Sequence, residues 1–287
     1  GIFMNFRTDI ALERRGLLGT ENINGVESET RNYENARVNE IKVVSKEGER
    51  AIGKPMGRYI TVEVPSFSYD SQLLDGRLTA LIEEIRNVLP KDGCVLTAGL
   101  GNDEITADAL GPMCASMIFA TRHISEELKK DMGMPFLRSV CAVTPGVLGK
   151  TGIETSEIIK GLTEKVKPSA VIAVDALAAM KLSRLASTVQ ISTTGISPGS
   201  GVGNRRSEIS EKTIGVPVIS IGIPTVISAK SIADELSGKE SDSEIYDMIV
   251  CPREADMISQ RGAKLIALAI NCALQPSICA QEMLTLM

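Results

Sequence analysis

Tryptophan is absent from this chain of 287 residues, aromatic residues make up 3% of it, and histidine occurs once. A core with so few rings must be built from Ile, Leu, Val, Ala and Met, and hydrophobic residues at 43% supply enough of them. The single histidine, His123, removes most zinc and triad chemistry. There is no H-E-x-x-H and no Cys/His cluster, and a Ser-His-Asp or Cys-His site would have to run through the charged stretch TRHISEEL. A helical reading of that stretch makes His123 a helix-end cation. No basic tract exists and the formal net charge is -5, which argues against an electrostatic grip on nucleic acid. The six cysteines form no C-x-x-C pair and several lie in apolar runs, the pattern of free thiols in a reducing compartment. No apolar run approaches the ~20 residues of a membrane helix, and no charged n-region followed by an apolar h-region opens the chain. The expectation is a soluble, cytoplasmic protein with no membrane partner.

What the chain does contain is a repeating unit: a short apolar strand ending in a Gly- or Pro-rich loop. Cys94–Ala98 runs into GLGNDEITAD, Val140–Val143 into TPGVLGKTGIET, Thr188–Ser192 into TTGISPGSGVGNRR, and Val216–Ile221 into GIPTVIS. Alternation with helices expected at 109–124, 156–166 and 176–185 argues for an α/β fold with a central, mainly parallel sheet flanked by helices. The run Val171–Val174 has no alternation, as in a strand covered on both faces, and ends at Asp175. Earlier, apolar residues at helical spacing predict a helix over 72–89, stopped by Pro90. The runs Ile41–Ser45 and Arg58–Val64 read as a hairpin or edge strands, an N-terminal β-patterned extension. The polar stretch Arg14–Arg37 reads as exposed or unstructured, Ser237–Glu244 as a linker, and Arg253–Leu274 as an amphipathic closing helix.

Two loops look like phosphate sites and depart from the pattern. TPGVLGKT at Thr144–Thr151 ends like a P-loop, but Thr144 replaces the leading glycine and Pro145 removes an amide. The loop from Gly99 lacks the third glycine of a dinucleotide fingerprint and places Asp103 and Glu104 where phosphate would go. Paired carboxylates remain. Asp108 follows the first rim loop and Asp175 ends another strand, so both can reach the rim where ligands of parallel sheets collect. Two carboxylates brought together do not both ionise readily, which suits one to hold a proton while the other polarises water. Helix N-caps explain both residues equally well at this level.

The motifs RTDIALE at Arg7, GRYITVE at Gly57, GLGNDEITADALGP at Gly99, VTPGVLGKTGIETSEIIKG at Val143, VDALAA at Val174, ISTTGISPGSGVGNRR at Ile191 and GVPVISIGIPTVI at Gly215 run in order across most of the chain. Together they resemble the germination protease family, whose members degrade small acid-soluble spore proteins in spore-forming bacteria. The resemblance implies an atypical aspartic endopeptidase with catalytic Asp108 and Asp175, needing no cofactor and no metal. It also implies a fold similar to that of hydrogenase-maturation endopeptidases, a homotetramer, and a cytoplasmic place in the spore core. Members are made as zymogens that cut themselves, which places the cut between Asp9 and Ile10. Residues 1–9 would be the propeptide and 10–287 one protease domain; Gly1–Phe3, ahead of Met4, read as foreign to the natural chain. Substrates of such enzymes carry glutamate around the cut, and Arg205 and Arg206 after the glycine-rich loop are candidates to pair with it, or else are two solvated arginines.

Many relatives carry an insertion before the closing helix that this chain lacks, so contacts made by that insertion do not transfer. Two other classes stay open. A phosphate- or nucleotide-binding module using 144–151 would bind ATP with magnesium, and a metal-assisted endopeptidase akin to the hydrogenase-maturation enzymes would retain metal on analysis.

Overall fold

The structure, a computed structural model, describes residues 23–199, 207–238 and 248–287. Along the chain come β1 (Val26–Tyr33), β2 (Ala36–Val43), α1 (Lys46–Ile52), β3 (Gly57–Glu63), α2 (Gly76–Val88) and β4 (Val95–Gly99). A 3-10 turn (Thr106–Asp108) leads to α3 (Leu110–Ser116), α4 (Glu126–Asp131), β5 (Val140–Val143), α5 (Leu148–Thr151), α6 (Thr155–Val166) and β6 (Ala170–Ala179). Then follow β7 (Thr188–Ser192), α7 (Glu211–Ile214), β8 (Val218–Ser228), α8 (Ala229–Ser237), β9 (Ile249–Val250), α9 (Ala255–Leu274) and α10 (Ala280–Leu286).

All the strands join one sheet in the order β1-β2-β3-β7-β8-β6-β4-β5, with β9 added to the far end of β8. The block β8-β6-β4-β5 is parallel, the expected α/β core. The N-terminal strands extend the same sheet in antiparallel pairs through β3 and β7. Alternation along β6 divides the core. Ala170, Ile172 and Val174 face α2, α3, α9 and α10 in one large apolar cluster, while Val171 and Ala173 face Ile159 of α6 and Ile214 of α7 in a smaller one. Each fully buried Val, Leu or Ile side chain among them contributes about 1.5–3 kcal/mol. The second layer is thin, and it stops before the strand does.

Several sequence expectations need correction. The helix expected at 176–185 is not formed, because β6 runs on through Asp175 to Ala179 beside β8. Alanine and leucine favour helix locally, but a neighbouring strand decides otherwise. β8 likewise continues through the GIPTVIS segment to Ser228; Pro224, which has no N–H for the ladder, sits where the register slips between Leu177 and Ala178. Helix 109–124 shrinks to α3, and His123 lies in a turn rather than a helix. The polar stretch up to Arg37 contains the edge strand β1, whose few apolar residues are replaced by charge pairing: Arg31 reaches Glu84 of α2 at 2.7 Å and Glu40 of β2 at 3.2 Å. A short helix, α1, separates β2 from β3 where a hairpin was an alternative. The closing helix α9 is buried all round from Leu265 to Leu274 rather than amphipathic, because α10 covers its outer side. The helix expected over 72–89 is α2, capped by Asp75, whose carboxylate accepts from the Arg77 amide at 3.0 Å.

Candidate active site

The face of the sheet that carries Val171 and Ala173 carries Asp175 next, beyond the reach of α6 and α7. Its neighbours across the sheet on that face turn polar at the same level. Asp175 is level with Gly222 on β8 and Gln190 on β7, and one step along are Ser220 and Ser192, with Tyr59 of β3 beside Ser192. These residues floor a cleft of about 430 Å³. Thus β7 reads Thr188-Val189-Gln190-Ile191-Ser192, apolar into the large core and polar toward the cleft, with Gln190 and Ser192 still almost wholly buried.

Asp108 enters the cleft from the loop after β4. Its Oδ2 accepts from the backbone N–H of Asn102 at 2.8 Å. The 3-10 turn that presents it is tied down from both sides. The Thr225 hydroxyl donates to the Ala107 carbonyl at 2.6 Å, and the Ser259 hydroxyl of α9 donates to the Thr106 carbonyl at 2.8 Å. Beneath the turn, a Cβ on Gly111 would come within 2.1 Å of the Leu100 carbonyl oxygen and 2.4 Å of that of Val174, so α3 lies directly on β4 and β6 because residue 111 has no side chain. Asp108 is therefore not an N-cap: the cap position of α3 is Ala109, and no side chain caps it.

Asp175 is buried, 5% exposed, and its Oδ1 accepts only from the adjacent Ala176 N–H at 3.0 Å among the described residues. Burial pushes its acid range up to about 8, with the negative charge of Asp108 adding to the shift and the Ala176 N–H opposing it. The strand continuation noted above also removes the N-cap reading for Asp175. Asp108 and Asp175 thus line one cleft in unlike surroundings, Asp175 buried with its acid range raised, Asp108 half-buried with the Asn102 N–H donating to it.

In the loop 144–151, Lys150 pairs with Asp103 at 2.8 Å and with Glu104 at 3.0 Å, which leaves its charge engaged by two acids. His123 is not among the residues lining the cleft. Among the described residues, no three His, Cys, Asp or Glu side chains gather closely enough to hold a metal ion, and no helix is long and apolar enough to cross a membrane. Asp9, Ile10, Arg205 and Arg206 lie outside the described residues. Sequence reasoning overlooked Gln190, Ser192, Ser220, Tyr59 and Lys54, all of which line the cleft. The signal was present in part: polar residues at alternate positions of an otherwise apolar strand.

The germination protease family profile matches residues 8–237 of the chain. The chain belongs to the germination protease family. The germination protease of Caldanaerobacter subterraneus subsp. tengcongensis is 41% identical over 318 residues, covering 98% of each chain. That of Clostridium perfringens is 40% identical over 319 residues, covering 97% of this chain and 98% of the relative. That of Bacillus subtilis is 42% identical over 241 residues, covering 80% of this chain and 65% of the relative. Among solved structures, the NiFe hydrogenase maturation protease HycI of Thermococcus kodakarensis KOD1 aligns at 17% identity with a TM-score of 0.30, covering 65% of this chain and 98% of that one. Asp108 and Asp175 both lie within the span that matches the germination protease profile.

Proposed function

We propose that this member of the germination protease family is an aspartic endopeptidase in which Asp108 and Asp175 act as a pair on a water molecule. The observation that carries the reading is the upward displacement of Asp175, caused by burial and by Asp108, inside the cleft of a chain whose relatives are proteases. At neutral pH the pair holds one proton, with Asp175 as acid and Asp108 as carboxylate. Asp108 takes a proton from the water as its oxygen bonds to the scissile carbonyl carbon. Asp175 gives its proton to the leaving amine as the C–N bond breaks, and proton exchange with solvent restores the pair.

The substrates are small acid-soluble spore proteins, degraded in the spore core when the spore germinates. The chain is a zymogen whose residues 1–9 are removed by cleavage between Asp9 and Ile10, leaving one protease domain over 10–287. It assembles as a homotetramer, and Arg205 and Arg206 pair with substrate glutamates. Lys150, occupied by two carboxylates, speaks against a phosphate site in the same chain.

The test is mass spectrometry of a purified small acid-soluble spore protein incubated with the full chain, with a chain beginning at Ile10, and with the shorter chain carrying Asp175→Asn. Cleavage by the shorter chain alone is the expected result. Cleavage that survives Asp175→Asn and Asp108→Asn in folded protein would end the two-aspartate mechanism, and full activity of the uncut chain would end the zymogen reading.

A further inference from the structure

β4 pairs with β6 only as far as Gly99 and Val174, and the Leu100 N–H, donating to the Val174 carbonyl at 2.8 Å, is the last rung between them. At Gly101, with a φ of 110°, the chain turns away toward Asp108. β6 nevertheless runs on to Ala179, still paired on its other side with β8, where Ala179 lies opposite Ile227. β8 in turn is met along its far edge by β7, then by the Ala186 N–H, which donates to the Pro224 carbonyl at 2.8 Å, then by β9. Beyond Leu100, the edge of β6 has no strand beside it among the described residues.

Alternation fixes which groups that edge offers. The Val171 N–H donates to the Pro217 carbonyl, so the odd residues of β6 bond toward β8, and the Val174 carbonyl accepts from Leu100, so the even residues bond toward β4. Ala176 and Ala178 therefore direct their main-chain groups into the lane that β4 leaves. Asp175 Oδ1 takes the Ala176 N–H at 3.0 Å, which brings this carboxyl to the same edge. The Ala176 carbonyl and both main-chain groups of Ala178 meet no partner among the described residues. Ala176 and Ala178 are half-buried in the wall of the cleft, together with Ile105, Ala107 and Asp108 of the turn. Main-chain groups so placed are a template for one more strand.

The geometry points to this edge as the site that holds the main chain of the substrate: an extended peptide enters the lane beyond Leu100 and pairs with Ala176 and Ala178 as an added strand. At a strand spacing of about 4.8 Å its backbone runs directly past the Asp175 carboxyl, over about three residues. The inference rests on the reading of the cleft as a peptide-cleaving site and adds how the substrate is held. Recognition at this edge reads the backbone and not side chains, and it excludes helical segments, whose N–H and C=O groups are bonded internally.

The probe is a labelled synthetic peptide of residues 4–18 of this chain, MNFRTDIALERRGLL, together with forms N-methylated at one residue each from Arg7 to Leu12. Binding is read by fluorescence anisotropy to the full chain and to the chain beginning at Ile10, both carrying Asp175→Asn. Methylation at residues that face β6 should weaken binding by roughly 5- to 100-fold, the range for a main-chain group left unpaired, and at the residues between them far less. The profile should therefore alternate with period two. Hydrogen exchange at the Ala178 amide should slow when the unmethylated peptide binds, and Ala178→Pro, which lacks that N–H, should lose a similar factor in affinity. The exchange and methylation measurements stand on the native edge even where Ala178→Pro fails to fold.

A flat methylation profile, no binding of the unmethylated peptide by either chain, or Ala178 exchange that is unaffected by bound peptide overturns the proposal. So does exchange already slow in both chains without peptide, which would mean that another segment fills the lane. The two readings separate. Cleavage that persists in Asp175→Asn with the alternation intact removes the aspartate mechanism and keeps the edge site. Cleavage abolished by Asp175→Asn with a flat profile does the reverse.

Discussion

A Cβ built on Gly101 would lie 2.2 Å from the carbonyl oxygen of Asp108 and 3.1 Å from its Oδ1, and Gly101 itself has a φ of +110°. The turn that delivers the aspartate thus folds back on a residue that has no room for a side chain and a backbone that side chains rarely adopt. Gly101→Ala should cost about 1–3 kcal/mol of stability and displace Asp108, lowering kcat/KM by roughly 100-fold, the scale of a misplacement of about 1 Å. Urea unfolding and peptide cleavage on the same preparation check both; a stability loss with unchanged kcat/KM would mean that the turn tolerates displacement.

The raised acid range of Asp175 sets a sign for stability against pH. Below about pH 4 the group is protonated whether the chain is folded or not. From there to about pH 8 the folded form holds a proton that the unfolded form has released, so stability falls as pH rises and levels off above the folded value. The slope attributable to this group approaches about 1.4 kcal/mol per pH unit in that window. Asp175→Asn should remove that slope and be more stable than the unsubstituted protein at pH 8. Denaturant midpoints at pH 5, 6.5 and 8 for the two proteins measure it; parallel curves would contradict the assignment.

Activity should follow the same group from the other side. With Asp175 as the acid, kcat/KM should decline above about pH 8. A decline set instead at acidic pH alone would move the acid role to Asp108.

The hydroxyls of Thr225 and Ser259 hold the 3-10 turn through the Ala107 and Thr106 carbonyls. Thr225→Val and Ser259→Ala should each cost about 1 kcal/mol and lower kcat several-fold with little change in KM, since both hydroxyls are engaged with carbonyls of the turn. Their effects on kcat should not add, because both act on one turn. Additive losses that fall on KM would point to peptide contacts instead.

Far from the cleft, Arg31 bridges two buried acids, Glu84 and Glu40, whose side chains are 1% and 2% exposed. Burial raises the acid range of Glu84, and the guanidinium only partly offsets it. Arg31→Met takes the ion pair from Glu84, while Glu40 keeps Arg58 at 2.6 Å, and should cost about 3 kcal/mol. Adding Glu84→Gln should recover much of that loss. Chemical denaturation of the single and double variants decides; equal midpoints for the two would show that Glu40 carries the cost.

Local patterns made the parallel block legible. Apolar runs such as Val171–Val174 need cover on both faces, and the glycine and proline loops after them place their ends on one rim. The family resemblance drew attention to Asp108 and Asp175, and the segment around Asp108 is closely packed, with Gly111 beneath the turn. Lys54 was not legible, because nothing in GKPMGRY says that its lysine is buried against Tyr59; that follows from β3 joining β7, strands more than a hundred residues apart. The Ala- and Leu-rich VDALAA could have been helix or strand by composition, and the pairing of β6 with β8 chose strand.

The sequence by itself determined the alternation of strands and helices in the parallel block, the free thiols and the charge balance, since each is a matter of residue type at short range. Only the tertiary structure decided that Asp175 continues a strand instead of capping a helix, that Asp108 stands on a turn pinned by Thr225 and Ser259, and that a buried lysine shares their cleft. The reason is physical: desolvation and like-charge repulsion depend on which groups the packed sheet brings together, and those groups are distant in the chain.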